Sequence, residues 1–504
     1  MQASQENLGN IFKSQQPHRC YKSMKKFSPQ SSNAQYFTLE SSSTVAICSS
    51  PSTTSFSSPN ESQVSLQDSL SDHTYESPMN SSSISEDLYD LKLKLNKLES
   101  VMLWPDCDII DSFDTYKLLP QIPKDLKQTL TACARAVADN DIRTAKWLMR
   151  EVRQMVSVSG EPIQRLGAYM LEGLVARLFS SGSKIYKALM CKEPTSLDLL
   201  SYIHMLYEVC PYFKFGYMSA NGAIADAVKN EDRVHIIDFQ MAQGSQWVTL
   251  IQALAMRPGG PPQLRITGID YSISAYAHGG GGGGGGGGLH IVGQQLSRLA
   301  EYCNVPFEFH PVSAISGCEF KLENIDIRPG EALAVNFAFQ LHHMPDESVS
   351  TLNHRDRLLR FVKSLAPKVV TLVEQESNTN TAAFFPRFME ALDYYTAIFE
   401  SIDVTLPRGN KERISLEQHC LAREIVNIIA CEGTERVERH EVQGKWKSRF
   451  KMAGFAPYPL SSLVNSTIKA LLGNYCEKYK LEERDGALYL GWMNRALVVS
   501  SAWR

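Results

Sequence analysis

The feature that most constrains the fold is a short apolar run that ends in a carboxylate. It reads Val234-His235-Ile236-Ile237-Asp238, and charged or amide residues precede it. A run of this kind is typical of a strand that is buried on both faces of a sheet. A turn through Gly244 follows, and apolar residues at helical spacing begin at Trp247. Strand, turn and helix form the opening unit of a doubly wound α/β sheet, which binds ligands beyond the carboxyl ends of its strands.

Later apolar runs predict further strands of the same sheet. They cover 264–269, 307–309, 332–337 and 369–373, with helical patterns at 289–299 and 358–365 between them. This alternation predicts right-handed crossovers and a mostly parallel sheet. Near the end of the chain, 487–492 and 495–501 are β-like runs separated by Met493-Asn494. They predict an antiparallel hairpin added to the edge of the sheet.

The chain before the sheet divides into three parts of different composition. Residues 1–85 are rich in serine and carry no apolar pattern, which predicts a disordered arm. Residues 86–120 hold a short amphipathic helix and a linker, and the helix presents a leucine stripe made of Leu88, Leu91, Leu95 and Leu98. We expect this helix either to dock on the following domain or to bind a partner. Residues from about 125 to 230 show helical spacing and predict an all-helical cap subdomain.

A tract of ten glycines, 279–288, interrupts the α/β pattern. Such a tract has no side chains to bury and a large entropy of ordering, so it predicts a floppy loop between the second strand and the next helix. It lacks the fixed glycine spacing and the immediate helix start of a phosphate-binding loop. We interpret it as a repeat expansion within a loop.

Length, charge and cysteine content exclude several classes of protein. A chain of 504 residues exceeds one compact core and predicts two or three units. The net charge of -3 argues against a basic nucleic-acid surface over the whole molecule. The sequence has no apolar run of bilayer length, and its polar first ten residues predict no secretory signal. The eleven cysteines include no Cys-x-x-Cys pair, which favours reduced thiols over disulfides or a zinc site.

Acidic side chains end three of the predicted strands: Asp238, Asp270 and Glu374. An acid after the second strand of such a sheet can accept hydrogen bonds from ribose hydroxyls, and the layout resembles that of methyltransferases that use S-adenosylmethionine. Gly244 stands alone in the first turn, however, where a cofactor would need closely spaced glycines. We therefore favour a scaffold whose strand-end groups bind one another, and we predict no cofactor. An enzyme that binds S-adenosylmethionine or another small molecule is the alternative.

The pair His342-His343 with Asp346 is the best candidate for a metal site. Adjacent histidines point in different directions, and no Glu lies at the helical spacing of a zinc hydrolase. We therefore predict no metal site.

The densest charged stretch of the chain lies between residues 436 and 451. Its second half contains Lys445, Lys447 and Arg449, which would contact phosphates if the protein bound DNA directly. Acids are interleaved with bases over 436–441, and this pattern favours intramolecular ion pairs and a solvated face.

Motifs over residues 121–504 resemble the plant GRAS family, whose members include the scarecrow-like proteins. The run 234–238 matches the family's VHIID motif, and the corresponding core covers 234–270. The other regions are a helical cap with the first leucine-rich region at about 125–230, a second leucine-rich region at 289–320, a middle block at 332–430 and a C-terminal block at 434–504. Further landmarks in the family's order are Pro386, Arg423, Glu424, Trp446, Gly454, Trp492, Ser501, Ala502 and Trp503. The family's Phe-Tyr landmark appears here as Tyr394-Tyr395, which is a departure outside the sheet core.

The resemblance implies a Rossmann-like fold similar to that of a methyltransferase, with a helical cap, in a nuclear plant regulator of transcription. It implies protein partners, namely DNA-binding transcription factors and other GRAS-like proteins, with homodimers or heterodimers among the arrangements. The predicted helix at 86–99 and the sequence of residues 243–247 resemble those of the family branch that contains the phytochrome A signal-transduction member. This resemblance suggests light signalling. The resemblance thus implies a non-enzymatic regulator that is found in the nucleus and also in the cytoplasm. Its leucine-rich helices and the predicted helix at 86–99 would carry the partner contacts. Direct DNA binding and a small-molecule enzyme are the two alternatives.

Overall fold

The computed structural model describes residues 125–178, 196–241, 243–271, 287–314 and 325–504. In these residues one sheet of nine strands forms the centre of the molecule. The strands are β1 Arg233–Asp238, β2 Gln263–Tyr271, β3 Phe307–Ala314, β4 Ala332–Ala338, β5 Val369–Gln375, β6 Pro457–Tyr458, β7 Tyr479–Arg484, β8 Ala487–Trp492 and β9 Arg495–Trp503.

The strand order is β3-β2-β1-β4-β5-β9-β8-β7, and β6 pairs with β9. The first five strands in this order are parallel, and the others join in antiparallel fashion. The order reverses between β1 and β4, where Val234 pairs with Leu264 on one side and Ala332 on the other. Doubly wound sheets bind ligands at such a switch point. The predicted Rossmann-like, mostly parallel sheet is confirmed.

The antiparallel end of the sheet differs from the prediction in one respect. The hairpin of β8 and β9 forms across Met493-Asn494 as predicted. It is not the edge of the sheet, because β9 pairs with β5 and the additional strand β7 pairs outside β8. The strand predicted at 307–309 is also longer, since β3 stays paired with β2 as far as Ala314.

Helices cover the sheet and build a separate helical layer. The α-helices are α1 Leu126–Ala138, α2 Ile142–Met155, α3 Pro162–Leu178, α4 Ser196–Val209, α5 Tyr212–Ala227, α6 Ser245–Ala255, α7 Gly287–Tyr302, α8 His354–Ser364, α9 Phe384–Asp403, α10 Lys411–Leu416, α11 Ala422–Ala430, α12 Gln443–Met452 and α13 Ser462–Leu472. A 3-10 turn covers Leu341–His343, and a π-helical segment, Glu417–Leu421, joins α10 to α11. No helix in the described part of the chain combines the length and the apolar character needed to cross a membrane.

Short polar side chains fix where the first helices begin. The Asp125 carboxylate accepts a hydrogen bond from the backbone N–H of Gln128 at 3.1 Å, and Asp141 accepts one from Thr144 at 3.1 Å. Such caps satisfy backbone donors that have no partner within the helix. Local sequence therefore sets the entry of α1 and α2.

The helical layer is completed by helices that come after β5 in the chain. Helices α1 to α3 share one apolar core with α9 and α11. Helix α3 approaches α11 so closely that a Cβ at Gly173 would lie 3.0 Å from the Cβ of Ile429. The helices predicted at 125–230 thus do not close their core alone.

A buried arginine joins the early and late parts of this layer. Arg165 in α3 is fully buried, and its Nε donates to the Glu417 carboxylate at 3.1 Å. Its Nη1 donates to Asp403 at 2.7 Å and its Nη2 to the carbonyl of Phe399 at 3.2 Å. Two of these partners belong to α9 and one to the π-helical segment, so a single side chain connects three elements.

Several predicted segments lie outside the described residues. They include the arm at 1–85 and the helix at 86–99 with its stripe of Leu88, Leu91, Leu95 and Leu98. Most of the glycine tract also lies outside, but its last two glycines differ from the predicted loop, because α7 begins at Gly287.

We expect Arg165→Met to lower the free energy of unfolding by about 3 kcal/mol, because removing one partner of a buried ion pair leaves the other charge poorly compensated. Urea denaturation of the full chain, followed by circular dichroism, measures this change. Arg143→Met at an exposed position of α2 is the matched control and should change stability little. Equal effects of the two substitutions would contradict the structural role of Arg165.

Candidate functional site at the carboxyl edge of the sheet

The aspartate that ends β1 is fully engaged by side chains of the same chain. Asp238 is 1% exposed. Its carboxylate accepts hydrogen bonds from Trp247 Nε1 at 2.8 Å, Asn336 Nδ2 at 3.0 Å and the backbone N–H of Gln240 at 3.2 Å. Burial raises the pKa of Asp238 to about 6, against the opposing effect of these donors. The carboxylate acts as an internal acceptor at the position where a doubly wound sheet would bind a ligand.

Amide side chains extend this network across the switch point. Gln246 Oε1 accepts from Asn336 Nδ2 at 3.1 Å, and Gln246 Nε2 donates to Asn221 Oδ1 at 3.2 Å. On the other side, the hydroxyl of Thr371 in β5 donates to Asn336 Oδ1 at 2.8 Å. All four side chains are buried. Side chains of α5, α6, β4 and β5 thus satisfy one another at the edge of the sheet.

The first turn of the sheet is packed against a helix. Gly244 has φ +70°, in the left-handed region that favours glycine, and it precedes the first residue of α6. A Cβ at Gly244 would lie 2.7 Å from Val292 Cγ1 in α7. The single glycine is therefore explained by close packing on α7.

The other two candidate acids do not follow their strands as predicted. Strand β2 runs to Tyr271, so Asp270 lies within the strand, and its side chain is outside the described part of the structure. Glu374 lies within β5 and is fully buried. Sequence patterns place strand ends only to within a few residues, which accounts for both differences. Asp238 and Glu374 share no hydrogen-bond partner among the described residues.

The histidine of the 234–238 run, His235, forms contacts that hold neighbouring strands together. His235 Nε2 lies 2.8 Å from the Thr267 hydroxyl, and Arg265 Nη2 lies 3.1 Å from His235 Nδ1. Burial and the nearby Arg265 lower the pKa of His235 to about 3, so the ring is neutral and its Nδ1 accepts from the guanidinium. His235 and Arg265 are paired neighbours on β1 and β2, and their contact stabilises that pairing.

The charged segment 436–441 is buried, which corrects the predicted solvated face. Glu438, Arg439, His440 and Glu441 are each 1% exposed. The alternating charges predicted exposure to solvent, but the residues that pair with this segment come from a distant part of the chain. Arg439 donates its backbone N–H to the carbonyl of His342 at 3.1 Å.

Glu374 holds the other end of this buried charged region. Its Oε1 accepts from the backbone N–H of Leu341 at 2.8 Å, and its Oε2 lies 2.6 Å from His342 Nδ1. Burial lowers the pKa of His342, but Glu374 and Glu438 outweigh burial and raise it to about 10. Burial and the nearby His342 hold the pKa of His440 well below its usual range. His342 is therefore cationic and His440 neutral at pH 7.

Asp346 does not join the neighbouring histidines as the sequence suggested. Its carboxylate accepts from the Ser348 hydroxyl at 2.6 Å and pairs with Arg439 Nη1 at 3.5 Å. The acid that approaches the histidines is Glu438, which belongs to the segment that the sequence predicted to be solvated. The only sequence signal for it was a carboxylate two residues before a third histidine, His440.

The candidate DNA-contacting bases are engaged by groups of the same chain. Lys445 donates to Asn378 at 3.0 Å, and Lys447 lies 3.6 Å from the Asp485 carboxylate. Arg449 Nε donates to Glu441 at 2.8 Å. Arg449 also pairs with two more carboxylates on Glu347 and Asp356. The contacts of Lys447 and Arg449 are ion pairs within the chain, and that of Lys445 is a hydrogen bond to a neutral amide.

The helical family landmarks mark helix beginnings and buried contacts. Pro386 lies exposed in the first turn of α9, where proline is tolerated. Arg423 and Glu424 lie buried in α11, and the Tyr395 hydroxyl donates to Glu424 at 2.8 Å. The neighbouring Tyr394 hydroxyl donates to the carbonyl of Leu497, which joins α9 to β9.

The landmarks near the end of the chain pack beside β9. Gly454, at φ +91°, follows the end of α12, and Trp446 is fully buried in that helix. Trp503 stacks on Phe450 with ring centroids 4.8 Å apart. Trp492 donates to Glu400 at 3.1 Å. The intervening Ser501 and Ala502 are buried in β9.

We expect Asp238→Asn to lower the free energy of unfolding by about 1–3 kcal/mol, because the new amide group would face one of three donors that now find an acceptor. Thermal and urea unfolding of the full chain measure the loss. Asp232→Asn, at an exposed position just before β1, is the matched control. A variant as stable as the control would show that the Asp238 network contributes little.

Comparison with known proteins places this geometry in a family. A model of the GRAS domain family matches residues 126–504. The scarecrow-like transcription factor PAT1 of Arabidopsis thaliana is 66% identical over 451 residues, which cover 86% of this chain and 90% of that protein. The chitin-inducible gibberellin-responsive protein 2 of Oryza sativa subsp. japonica is 62% identical over 467 residues, which cover 90% of this chain and 84% of that protein.

A solved structure supports the same assignment. The crystal structure of SCL7 of Oryza sativa is similar with a TM-score of 0.65 and 34% sequence identity, covering 76% of this chain and 100% of that one. The 234–238 motif lies within the residues that match the family model, and the fold is similar to that of the solved structure. The chain belongs to the GRAS domain family.

Proposed function

We propose that this chain is a plant transcriptional regulator that acts in the nucleus mainly as a protein-interaction scaffold. Its partners are DNA-binding transcription factors, with other GRAS-like proteins as further partners. Membership of the family and the relative described as a transcription factor support the regulatory role. The light-signalling assignment is also part of this proposal and rests on the resemblance of residues 86–99 and 243–247.

The observation that carries the scaffold role is the hydrogen-bonded network at the switch point. Asp238, Gln246 and Asn336 bond to one another or to neighbouring side chains, and all three are buried. A buried polar group without a partner costs about 1–3 kcal/mol, so a cofactor that displaced these bonds would have to replace each of them. The Gly244 turn, packed against Val292, adds a steric obstacle. This arrangement favours a rigid scaffold for protein partners and argues against a cofactor site.

We expect calorimetric titration of the full chain with S-adenosylmethionine, and with its demethylated product, to give no binding heat. The physical reason is that the strand-end acceptors already have donors from the chain itself. Circular dichroism of the same sample verifies that the protein is folded. Micromolar binding that Asp270→Ala abolishes would overturn the scaffold proposal and identify a cofactor site.

The predicted leucine stripe gives a second test of the proposal. We expect the double substitution Leu91→Asp and Leu95→Asp to remove most of the binding to DNA-binding transcription factors, because two charges would replace the apolar face of the predicted helix. Quantitative mass spectrometry of proteins that co-purify with the full chain from plant nuclei measures the loss.

A matched control for this test changes lysines of the same helix that lie off the stripe. Lys94→Asp with Lys97→Asp should retain the partners. Loss of binding in both double variants would indicate a general effect of charge. A fall in the melting temperature of the leucine variant would instead show that the helix is part of the folded domain.

A further inference from the structure

Four buried side chains meet at a point that the proposed function does not use. They are His342 and His343 from the 3-10 turn after β4, and Glu438 and His440 from the segment before α12. None is more than 7% exposed. We call this group the histidine cluster. One ligand atom from each of His342, His343 and Glu438 lies within 4.8 Å of the other two.

Three distances in the histidine cluster, each measured to Glu438, are close to those between ligands of one ion, although His440 is not among the three residues whose ligand atoms all lie mutually within 4.8 Å. Glu438 Oε2 lies 3.4 Å from His342 Nε2, and Glu438 Oε1 lies 3.5 Å from His343 Nε2. His440 Nε2 lies 3.7 Å from Glu438 Oε2. A tetrahedral zinc ion with bonds of 2.0–2.1 Å separates its ligand atoms by about 3.4 Å. These separations are longer than ordinary charge-assisted hydrogen bonds, which measure about 2.7–2.9 Å.

Some polar atoms of the histidine cluster form no hydrogen bond. Both carboxylate oxygens of Glu438 and the Nε2 atom of His440 are buried and have no hydrogen-bond partner among the described residues. A buried carboxylate that lacks hydrogen bonds is expensive, because burial removes the water that would solvate it. The cationic ring of His342 offsets this charge from 3.4 Å but donates no hydrogen bond to it, and a bound divalent ion would coordinate the carboxylate directly.

The outer nitrogens of two histidines are already oriented by neighbours. His342 Nδ1 lies 2.6 Å from the Glu374 carboxylate, which is the outer-shell arrangement found at many zinc sites. His440 Nδ1 lies 3.0 Å from the Thr379 hydroxyl. That hydroxyl can accept from the ring and direct its own proton to the carbonyl of Glu438, 3.5 Å away. The Nε2 atoms of both rings lie near Glu438. Because the two rings stack with centroids 4.4 Å apart, the His440 ring would have to rotate to share an ion with His342.

A buried arginine fixes the two backbone segments that carry these ligands. Arg355 is fully buried. Its Nη2 donates to the carbonyl of Arg439 at 3.1 Å and to the carbonyl of Met344 at 2.8 Å. One residue therefore holds the 342–344 turn and the 438–440 segment at a set separation, as a preorganised metal site requires.

We propose that His342, His343, Glu438 and His440 bind one structural divalent transition-metal ion. Zinc suits this set of nitrogen and oxygen donors, and four protein ligands without an open position are typical of a structural zinc site. The ion replaces the Nε2 proton of His342, since an imidazole ligates through a free lone pair. The two carboxylates, Glu438 in the cluster and Glu374 behind it, offset the double charge of the ion. The ion would join the middle block to the C-terminal block of the chain.

The test is the metal content of the full chain, produced without a polyhistidine tag and freed of loosely bound ions by gel filtration. Inductively coupled plasma mass spectrometry should find one transition-metal ion per chain. Glu438→Gln and His343→Gln should lose most of it. The matched controls are Glu435→Gln, an exposed acid of the same segment, and His290→Gln, an exposed histidine of α7, and both should keep the ion. Glu374→Gln should weaken zinc affinity by about 10–100-fold.

A second measurement on the unmodified chain covers variants that fail to fold. After removal of metal with a chelator, added Co²⁺ should produce the visible absorption of a four-coordinate site with nitrogen and oxygen ligands. A thiolate charge-transfer band would place the ion on cysteines and overturn the proposal. A folded chain that holds no ion and takes up neither Zn²⁺ nor Co²⁺ would overturn it as well, and so would a Glu438→Gln variant with full metal content.

Discussion

The structure depends on how a parallel sheet satisfies the carboxylates buried at one edge. Glu374 is the central case, because it is fully buried within β5 and yet accepts from the Leu341 backbone and contacts the His342 ring. A charge in such a place costs several kcal/mol unless partners compensate it. Those partners fix the turn after β4. Through that turn they also fix the 436–441 segment, whose backbone bonds to it. One strand residue thus determines the position of two distant segments.

The sheet could be predicted because its strands follow the simplest sequence rule. Runs such as 234–238 and 369–373 are apolar throughout, as strands buried on both faces must be. The hairpin at Met493-Asn494 could also be predicted from the sequence. Strand β7 could not, because its burial alternates only weakly and most of its side chains are exposed. Two strand ends were also placed too early, because the apolar pattern stops at Asp270 and at Glu374, which both lie inside their strands.

The candidate site could be predicted only in part. The sequence placed Asp238 at the end of a strand, and the parallel register brings Asn336 of β4 beside it. It did not reveal that Trp247 and Gln246 would complete the network, because the first turn of α6 must pack against α5 before these side chains meet Asp238 and Asn336. The 436–441 segment was assigned to solvent for the same reason. Charge alternation describes a segment by itself, whereas burial of Glu438 and Arg439 depends on residues almost a hundred positions earlier.

The edge of the sheet at β7 has a consequence for aggregation. Within the described part of the chain, strand β7 ends the strand order on this side of the sheet. Four of its six side chains are charged: Lys480, Glu482, Glu483 and Arg484. Charges along an edge strand oppose the addition of a foreign strand, which is how natural sheets avoid aggregation. In the proposed scaffold role, these charges would oppose the joining of sheets from chains that shared partners bring close together.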